Sequence, residues 1–310
     1  MSHLQVVQGG EVMGMGLADY VWFDGDDLNF KKKSILIGKN GKGEPIPLVD
    51  RWTFSHTNHE DDCEQGWACE CSEVRHILVP CFYLPDPTRP QPNYIVLCEV
   101  RDEHDECIEE NWRAKLRQAL ELRGPNHKLV WFGFEQDYTL VDADESEGSA
   151  GQKFEAAERH IGACFDAGLL FHSAWNPLGA DCWDFKVGYR GFPQDLDPDP
   201  PSALVVADHV AVARYLMEKI GGSKGLIPQW DDLTPFVSTP ALREPGGDHD
   251  AERKRMFEAL GSLGQPQHLP HPARGGFQCI EVVRDEPENP YKLALGVLDA
   301  VWPVHEQEPQ

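Results

Sequence analysis

The sequence predicts an α+β chain of two domains, and three observations lead there. The first hundred residues hold five or so strand-like runs and little helical period. From Asn111 onward, helical patterns are interspersed with strands as far as Trp302. One of those strands, Val130 to Leu140, is apolar and aromatic yet carries Glu135 and Asp137 two residues apart. Side chains alternate along a strand, so these two carboxylates point the same way. Like charges held together out of water are costly unless a cation sits between them. A divalent ion is the simplest such partner, because hard cations prefer carboxylate oxygens. The plainer reading is a strand at a sheet edge with both carboxylates in solvent. The expected domains are 1–105 and 106–310.

The chain is 310 residues long, 41% hydrophobic and 26% charged, which is ordinary for a globular protein with a full core. No apolar run approaches the ~18 residues of a membrane span. Met1 to Met15 lacks the basic-then-apolar layout of a signal peptide, so a cytoplasmic location is expected. A net charge of −24 argues against nucleic acid or anionic membranes as partners. It leaves room for an anionic small molecule in a basic or metal-filled pocket. The nine cysteines read as reduced thiols rather than a disulfide frame.

In chain order, residues 1–16 are Gly- and Met-rich without a period and suit a loose arm or a short contact segment. Ala18 to Gly25 and Lys31 to Ile37 are two strands, with a turn at Asn40-Gly41-Lys42-Gly43, so a hairpin is expected here. Residues 50–75 are irregular and polar. His56, His59, Cys63, Cys69 and Cys71 there offer zinc ligands, although their spacing matches no standard paired pattern. Two apolar runs, His76 to Tyr83 and Tyr94 to Val100, flank a connector stiffened by four prolines. Asp102 to Glu110 is an acidic linker, and Asn111 can cap a helix from Trp112 to Leu122 that stops at Gly124-Pro125.

After the carboxylate strand comes an acidic loop, Asp142 to Gly151. Phe154 to Gly168 has helical spacing, with Ala157, Ile161, Cys164 and Phe165 on one face. Leu169 to Ser173 and Trp183 to Gly188 read as paired strands. In the second, Trp183, Phe185 and Val187 face one way, Asp184 and Lys186 the other. Ser202 starts the helix Ala203 to Ile220 before Gly221-Gly222. A short strand at Val237 to Thr239, a charged helix from Asp248 to Leu263 and a loop from Pro266 to Pro272 follow. A strand from Gln278 to Val283 and a helix from Tyr291 to Trp302 complete the chain, and His305 to Gln310 reads as a disordered tail.

Trp131-Phe132-Gly133-Phe134-Glu135-Gln136-Asp137-Tyr138 resembles the W-F-G-I-E-Q-E-Y strand of glutamine synthetases. The likeness continues in order. Ala18 to Gly25 is similar to E-Y-I-W-I-D-G, and Val79-Pro80, Asp86-Pro87 and Asn93 to Glu99 to L-V-P…D-P…N-x-L-V-L-C-E. Asn111 to Lys115 is similar to N-x-R-A-K, Cys182 to Gly188 to Q-W-E-F-Q-V-G, Ala213-Arg214-Tyr215 to A-R-Y, and Val237 to Gly247 to Y-S-T-K-A-M-R-E-x-G-G. The resemblance implies a glutamine synthetase-like fold, with a small N-terminal β-grasp-type domain and a catalytic domain whose antiparallel sheet is flanked by helices.

It also implies an ATP-dependent carboxylate–amine ligase. ATP phosphorylates a carboxylate, and ammonia or an amine displaces the phosphate. Mg2+ or Mn2+ ions hold the phosphates and the carboxylate in line. The partners implied are a small-molecule carboxylate, an amine or ammonia, and further copies of the chain in a ring. Matched residue by residue, Glu135, Asp137 and Asp184 fall on metal-ligand positions. Glu281, in the looser match of Gln278 to Arg284 to R-I…F-E-D-R-R, falls on a fourth. Ser238 and Arg243 fall on nucleotide-binding positions, Arg274 near phosphates, and Arg284 on an ATP or transition-state contact.

The chain also departs from the pattern. Asp137 and Asp184 stand where the family prefers Glu. Asn176-Pro177-Leu178-Gly179 replaces P-A-E-V-M-P-G, with its glutamate ligand, and Thr234 to Thr239 replaces H-T-N-Y-S-T, with its histidine ligand. The ammonium-binding aspartate of D-G-S-S-T has no clean counterpart, and the segment between Gly247 and Arg274 is short, without the flap that covers glutamate. Two functions therefore stand open: a ligase on an altered substrate, or a catalytically degenerate paralogue with a binding or repurposed metal-dependent role.

Overall fold

A computed structural model describes residues 16–23, 29–38, 52–57, 73–90, 92–124, 130–143, 150–175, 182–188, 201–243, 248–270, 278–284 and 287–303. For 52–57, 73, 74, 243, 268–270 and 278 it describes the backbone alone. The architecture is α+β, with two sheets and six helices among the described residues. The chain divides into two units, residues 1–22 with 31–106, and residues 23–30 with 107–310.

The first unit is built on β1 (Gly16–Phe23), β2 (Phe30–Ile37), β3 (Trp52–Thr57), β4 (Glu73–Pro85) and β5 (Tyr94–Arg101). They form one sheet in the order β2-β1-β5-β4-β3. β1 and β5 pair in parallel, whereas β4 runs antiparallel to both β5 and β3. β3 lies inside the stretch that the sequence marks as irregular. Its backbone pairs with β4 from Trp52 opposite Leu78 to Thr57 opposite Glu73. Its alternation of aromatic and polar residues is a strand period that the polar composition around it obscures.

The second unit holds α1 (Trp112–Arg123), β6 (Trp131–Asp142), α2 (Ala150–Asp166), β7 (Phe171–Trp175), β8 (Cys182–Gly188), α3 (Ala203–Gly222), β9 (Leu226–Ser238), α4 (Pro240–Arg243), α5 (His249–Leu260), β10 (Gln265–Pro270), β11 (Gln278–Val283) and α6 (Pro290–Val301). Its sheet order is β10-β11-β9-β6-β8-β7, so the carboxylate strand β6 is central. β6 runs antiparallel to both of its neighbours, β8 and β9.

β9 is thirteen residues long, not the short strand expected at Val237 to Thr239. Pro228, Pro235 and the Asp231-Asp232 pair break its apolar period, but its length is set by pairing along β6. The stretch from Pro266, expected as a loop, contains β10, which pairs with β11 at the sheet edge. Proline is tolerated on an edge strand because no neighbour needs its missing N–H.

α3 is apolar nearly all round, as a helix buried on all sides must be. The Ser202 hydroxyl caps it by accepting the Val205 N–H at 3.4 Å. It packs on β6, β8 and β9, and α1, α2 and α6 pack on it in turn. The even-numbered residues of β6 from Phe132 to Leu140 are buried, while Glu135, Asp137 and Thr139 stay partly open. In α2 the buried face is Ala156, Ala157, His160, Ala163 and Cys164. Phe165, expected on that face, is 78% exposed, because the helix turns its small residues toward α3.

Buried polar groups tie this layer together. The Arg113 guanidinium of α1 donates to Asp208 of α3 through Nε at 2.8 Å and Nη2 at 2.9 Å. The Tyr291 hydroxyl of α6 donates to the same carboxylate at 2.8 Å. His160 lies with Nε2 2.9 Å from the Ala213 carbonyl, and burial pushes its pKa down to about 4. His209 accepts the Leu170 N–H on Nδ1 at 2.8 Å, and burial also pushes its pKa down to about 4.

Both histidines are therefore neutral in the fold, and acid should destabilise it. The unfolded chain takes up a proton near pH 6.5 that the folded imidazole refuses, so stability is lost as pH falls from there toward about 4. His209→Asn keeps an acceptor for the Leu170 N–H but cannot titrate. Relative to that variant, the native chain should lose at most on the order of 3 kcal/mol over this range. Denaturant melts of both proteins at the two ends of the range check it. A constant difference between them would count against a neutral, buried His209.

Candidate metal centre

The register of β6 against β8 assembles the site. Glu135 lies opposite Lys186, and Asp137 lies opposite Asp184. Directly opposed residues share a face, so four charged side chains meet in two adjacent cross-strand pairs. One carboxylate oxygen from each of Glu135, Asp137 and Asp184 lies within 4.8 Å of the others. Glu281 joins the same face from β11. It is opposite Phe236, and Phe236 is in turn opposite Gly133 on β6. A side chain at residue 133 would run into the Phe236 ring as it now stands.

A second polar system, behind the sheet, holds Asp137 in place. Between Gln136 and Tyr138 the register with β9 slips, setting the single residue Asp137 against Asp231 and Asp232. Such a bulge leaves backbone carbonyls without ladder partners. The Gln136 amide fills that need, donating to the carbonyls of Asp137 at 2.6 Å, Asp232 at 3.1 Å and Asp231 at 3.3 Å. Its oxygen accepts from Arg214 Nε at 2.7 Å and also from Nη2. Arg214 is fully buried, donates its Nη1 to the Glu288 carbonyl at 3.0 Å, and is pushed down to about 9 by burial. This sets the amide orientation and keeps the Asp137 side chain on the open face.

The electrostatics are strained toward a cation. Burial, then Glu135, Asp184, Asp232 and Asp231, push Asp137 up to about 7. Burial and Glu135 raise Asp184 to about 6, against a lowering by Lys186. Glu281 is raised by burial and by Glu135. Part of the missing positive charge comes from within the fold, because Lys186 Nζ is hydrogen-bonded and ion-paired to Glu135. Burial works against that ammonium. The hydrogen bond to Glu135 and the charges of Glu135, Asp184 and Glu281 outweigh it and hold the lysine above its ordinary range.

The donor set fits a hard divalent ion. It consists of carboxylate oxygens, and Asp184 is 7% exposed with a buried Oδ1 that has no hydrogen-bond partner among the described residues. Thr234 lies opposite Glu135, at the position where the family motif carries its ligand histidine. A hydroxyl is a poorer ligand than an imidazole.

Ser238 is buried at the end of β9. Arg243 ends α4, with its side chain outside the described residues, and Arg274 also lies outside them. Arg284 follows β11 and donates to the Leu263 carbonyl at 2.9 Å and to Glu288 at 3.4 Å. Of the zinc candidates, His59, Cys63, Cys69, Cys71 and the His56 side chain lie outside the described residues. Two features were not read from the sequence. One is the Asp231-Asp232 bulge, hidden because β9 was expected to start later. The other is the ion pair from Lys186 to Glu135, for which a shared face was legible but not the register.

Fold and site together define an α+β protein with carboxylates converging on the open face of an antiparallel sheet. No protein-family model matches the chain. Among curated relatives, it is 25% identical over 263 residues to the chloroplastic glutamine synthetase of Brassica napus, covering 74% of this chain and 57% of that protein. It is 26% identical over 277 residues to glutamine synthetase of Canis lupus familiaris, covering 79% and 67%. It is 25% identical over 296 residues to that of Gallus gallus, covering 85% and 70%. The chain thus spans little more than half the length of the first of these. These matches support a divergent member of the glutamine synthetase family. No described helix is long and apolar enough to cross a membrane.

Proposed function

We propose that the chain is an ATP- and Mg2+- or Mn2+-dependent carboxylate–amine ligase of the glutamine synthetase type, acting on an altered small-molecule substrate. In this reading residues 1–105 are the β-grasp-like domain and 106–310 the shortened catalytic domain, and the chain works in the cytoplasm as a homo-oligomer. The observation that carries the reading is the convergence of Glu135, Asp137 and Asp184 on one face, with an unsatisfied buried oxygen on Asp184. These three residues, with Glu281, would hold the metal. When bound, the metal neutralises phosphate charge and aligns the γ-phosphoryl group with the acceptor carboxylate. The chain's own part is positional: β6 and β8 fix the carboxylates, and the Gln136–Arg214 pair fixes the bulge beside Asp137. Arg243, Ser238, Arg274 and Arg284 are assigned to nucleotide and phosphate by family position.

A second reading, a degenerate paralogue that binds but does not ligate, is favoured by the threonine at the histidine position and by the lysine already pairing with Glu135. The test is ADP release with Mg2+ across a panel of amino acids, other carboxylates and amines. The ligase reading expects turnover with at least one pair, lost in Asp184→Ala. No ADP with any pair, and no rise in thermal midpoint with Mg2+ and ATP, would remove it. Stabilisation by Mg2+ and ATP without turnover would select the paralogue.

A further inference from the structure

Lys186 is a charge the ligase reading does not use. Three strands surround it with carboxylates: Glu135 on β6 opposite it, Asp184 two residues away on β8, and Glu281 on β11. Its Nζ bonds Glu135, one of the three carboxylates close enough to share an ion. A divalent ion using Glu135 has to displace this ammonium or accept a like charge next to it. We propose that Lys186 is a built-in cation standing in for one divalent ion, so that the native chain holds one ion fewer than its carboxylates could support. That ion's place is on the Asp137–Asp184 side, where the buried Asp184 Oδ1 has no hydrogen-bond partner among the described residues.

Charge balance supports this assignment. Glu135, Asp137, Asp184 and Glu281 bring four negative charges when ionised, and Lys186 returns one. A single divalent ion then leaves one negative charge, whereas two would leave the cluster positive. With residue 186 neutral, two divalent ions balance the four carboxylates. The lysine stands where the family motif Q-W-E-F-Q-V-G carries a glutamine, a neutral side chain that leaves Glu135 for metal. The inference thus specifies how many ions the proposed metal centre takes, and it rests on that reading.

The test counts Mn2+ bound per chain on the native protein, Lys186→Gln and Lys186→Arg, by equilibrium dialysis with detection of free Mn2+ by electron paramagnetic resonance. The native chain and Lys186→Arg should bind the same number, and Lys186→Gln one more. Equal numbers on the native chain and Lys186→Gln overturn the inference. So does a second ion on the native chain, a result that needs no variant to fold. The two readings fail separately. The inference reads the difference between proteins, and the proposed function reads whether the native chain binds an ion at all. No Mn2+ on any of the three proteins removes both.

Discussion

Asp208→Ala is expected to lower stability by about 3–5 kcal/mol, the usual range for removing one partner of a buried ion pair. The Arg113 guanidinium stays in the layer among α1, α3 and α6 without the carboxylate that takes its Nε and Nη2 protons. The Tyr291 hydroxyl loses the same acceptor. The cost is mostly that of desolvated groups left behind rather than the worth of the bonds themselves. An apolar replacement of the whole cluster should therefore recover much of it. Asp208→Leu with Arg113→Met and Tyr291→Phe is expected to be more stable than Asp208→Ala alone. Urea melts of these variants check both statements. A loss under about 1 kcal/mol for Asp208→Ala would mean that water reaches Arg113 and replaces the carboxylate. Because the cluster lies behind the sheet, Mn2+ binding per folded molecule should not change.

The chain shows why some elements could be read in advance and others not. Helix α3 declared itself through a capping serine, a largely apolar sequence and a glycine pair, all local signals. β6 did so through aromatic and apolar residues around two carboxylates of equal parity. That parity fixed the shared face of Glu135 and Asp137 before any partner strand was known. β9 and β10 were harder, because prolines and paired aspartates erase a period that only neighbouring strands restore. The site was legible as a set of carboxylates but not as a balance of charge. Which side chain opposes which depends on register, and register is a tertiary property. Placing Lys186 against Glu135 and Asp137 against Asp184 required β6 and β8 to be aligned, which neither strand specifies alone. The face of α2 was legible in part for a related reason: Ala157 and Cys164 are buried as expected, but Phe165 is exposed where Ala156 and Ala163 pack inward.

Asp137→Asn is expected to move stability and metal binding in opposite directions. Burial and four neighbouring carboxylates push the Asp137 carboxyl up to about 7 from 3.8. The folded chain therefore holds a proton that the unfolded chain releases, so the ionised site costs stability as pH rises through this window, and the cost is complete above about 7. A neutral amide removes it. Because Asp137 is partly open to solvent, the gain is on the order of 1–2 kcal/mol rather than the full shift. With Mn2+ the order should reverse. An ion bound at a hundred times its Kd adds about 2.7 kcal/mol to the native fold. Losing a direct ligand should weaken that binding roughly a hundredfold or more, since even outer partners of metal ligands cost ten- to a hundredfold. Above pH 7, Asp137→Asn should thus melt higher than the native chain without Mn2+, and lower with it. Native affinity should fall in turn below about pH 7, because binding then has to expel the proton on Asp137 and, nearer 6, the one on Asp184. A variant that melts below the native chain under both conditions would make Asp137 a structural carboxylate. Equal stabilisation of both proteins by Mn2+ would put the ion elsewhere.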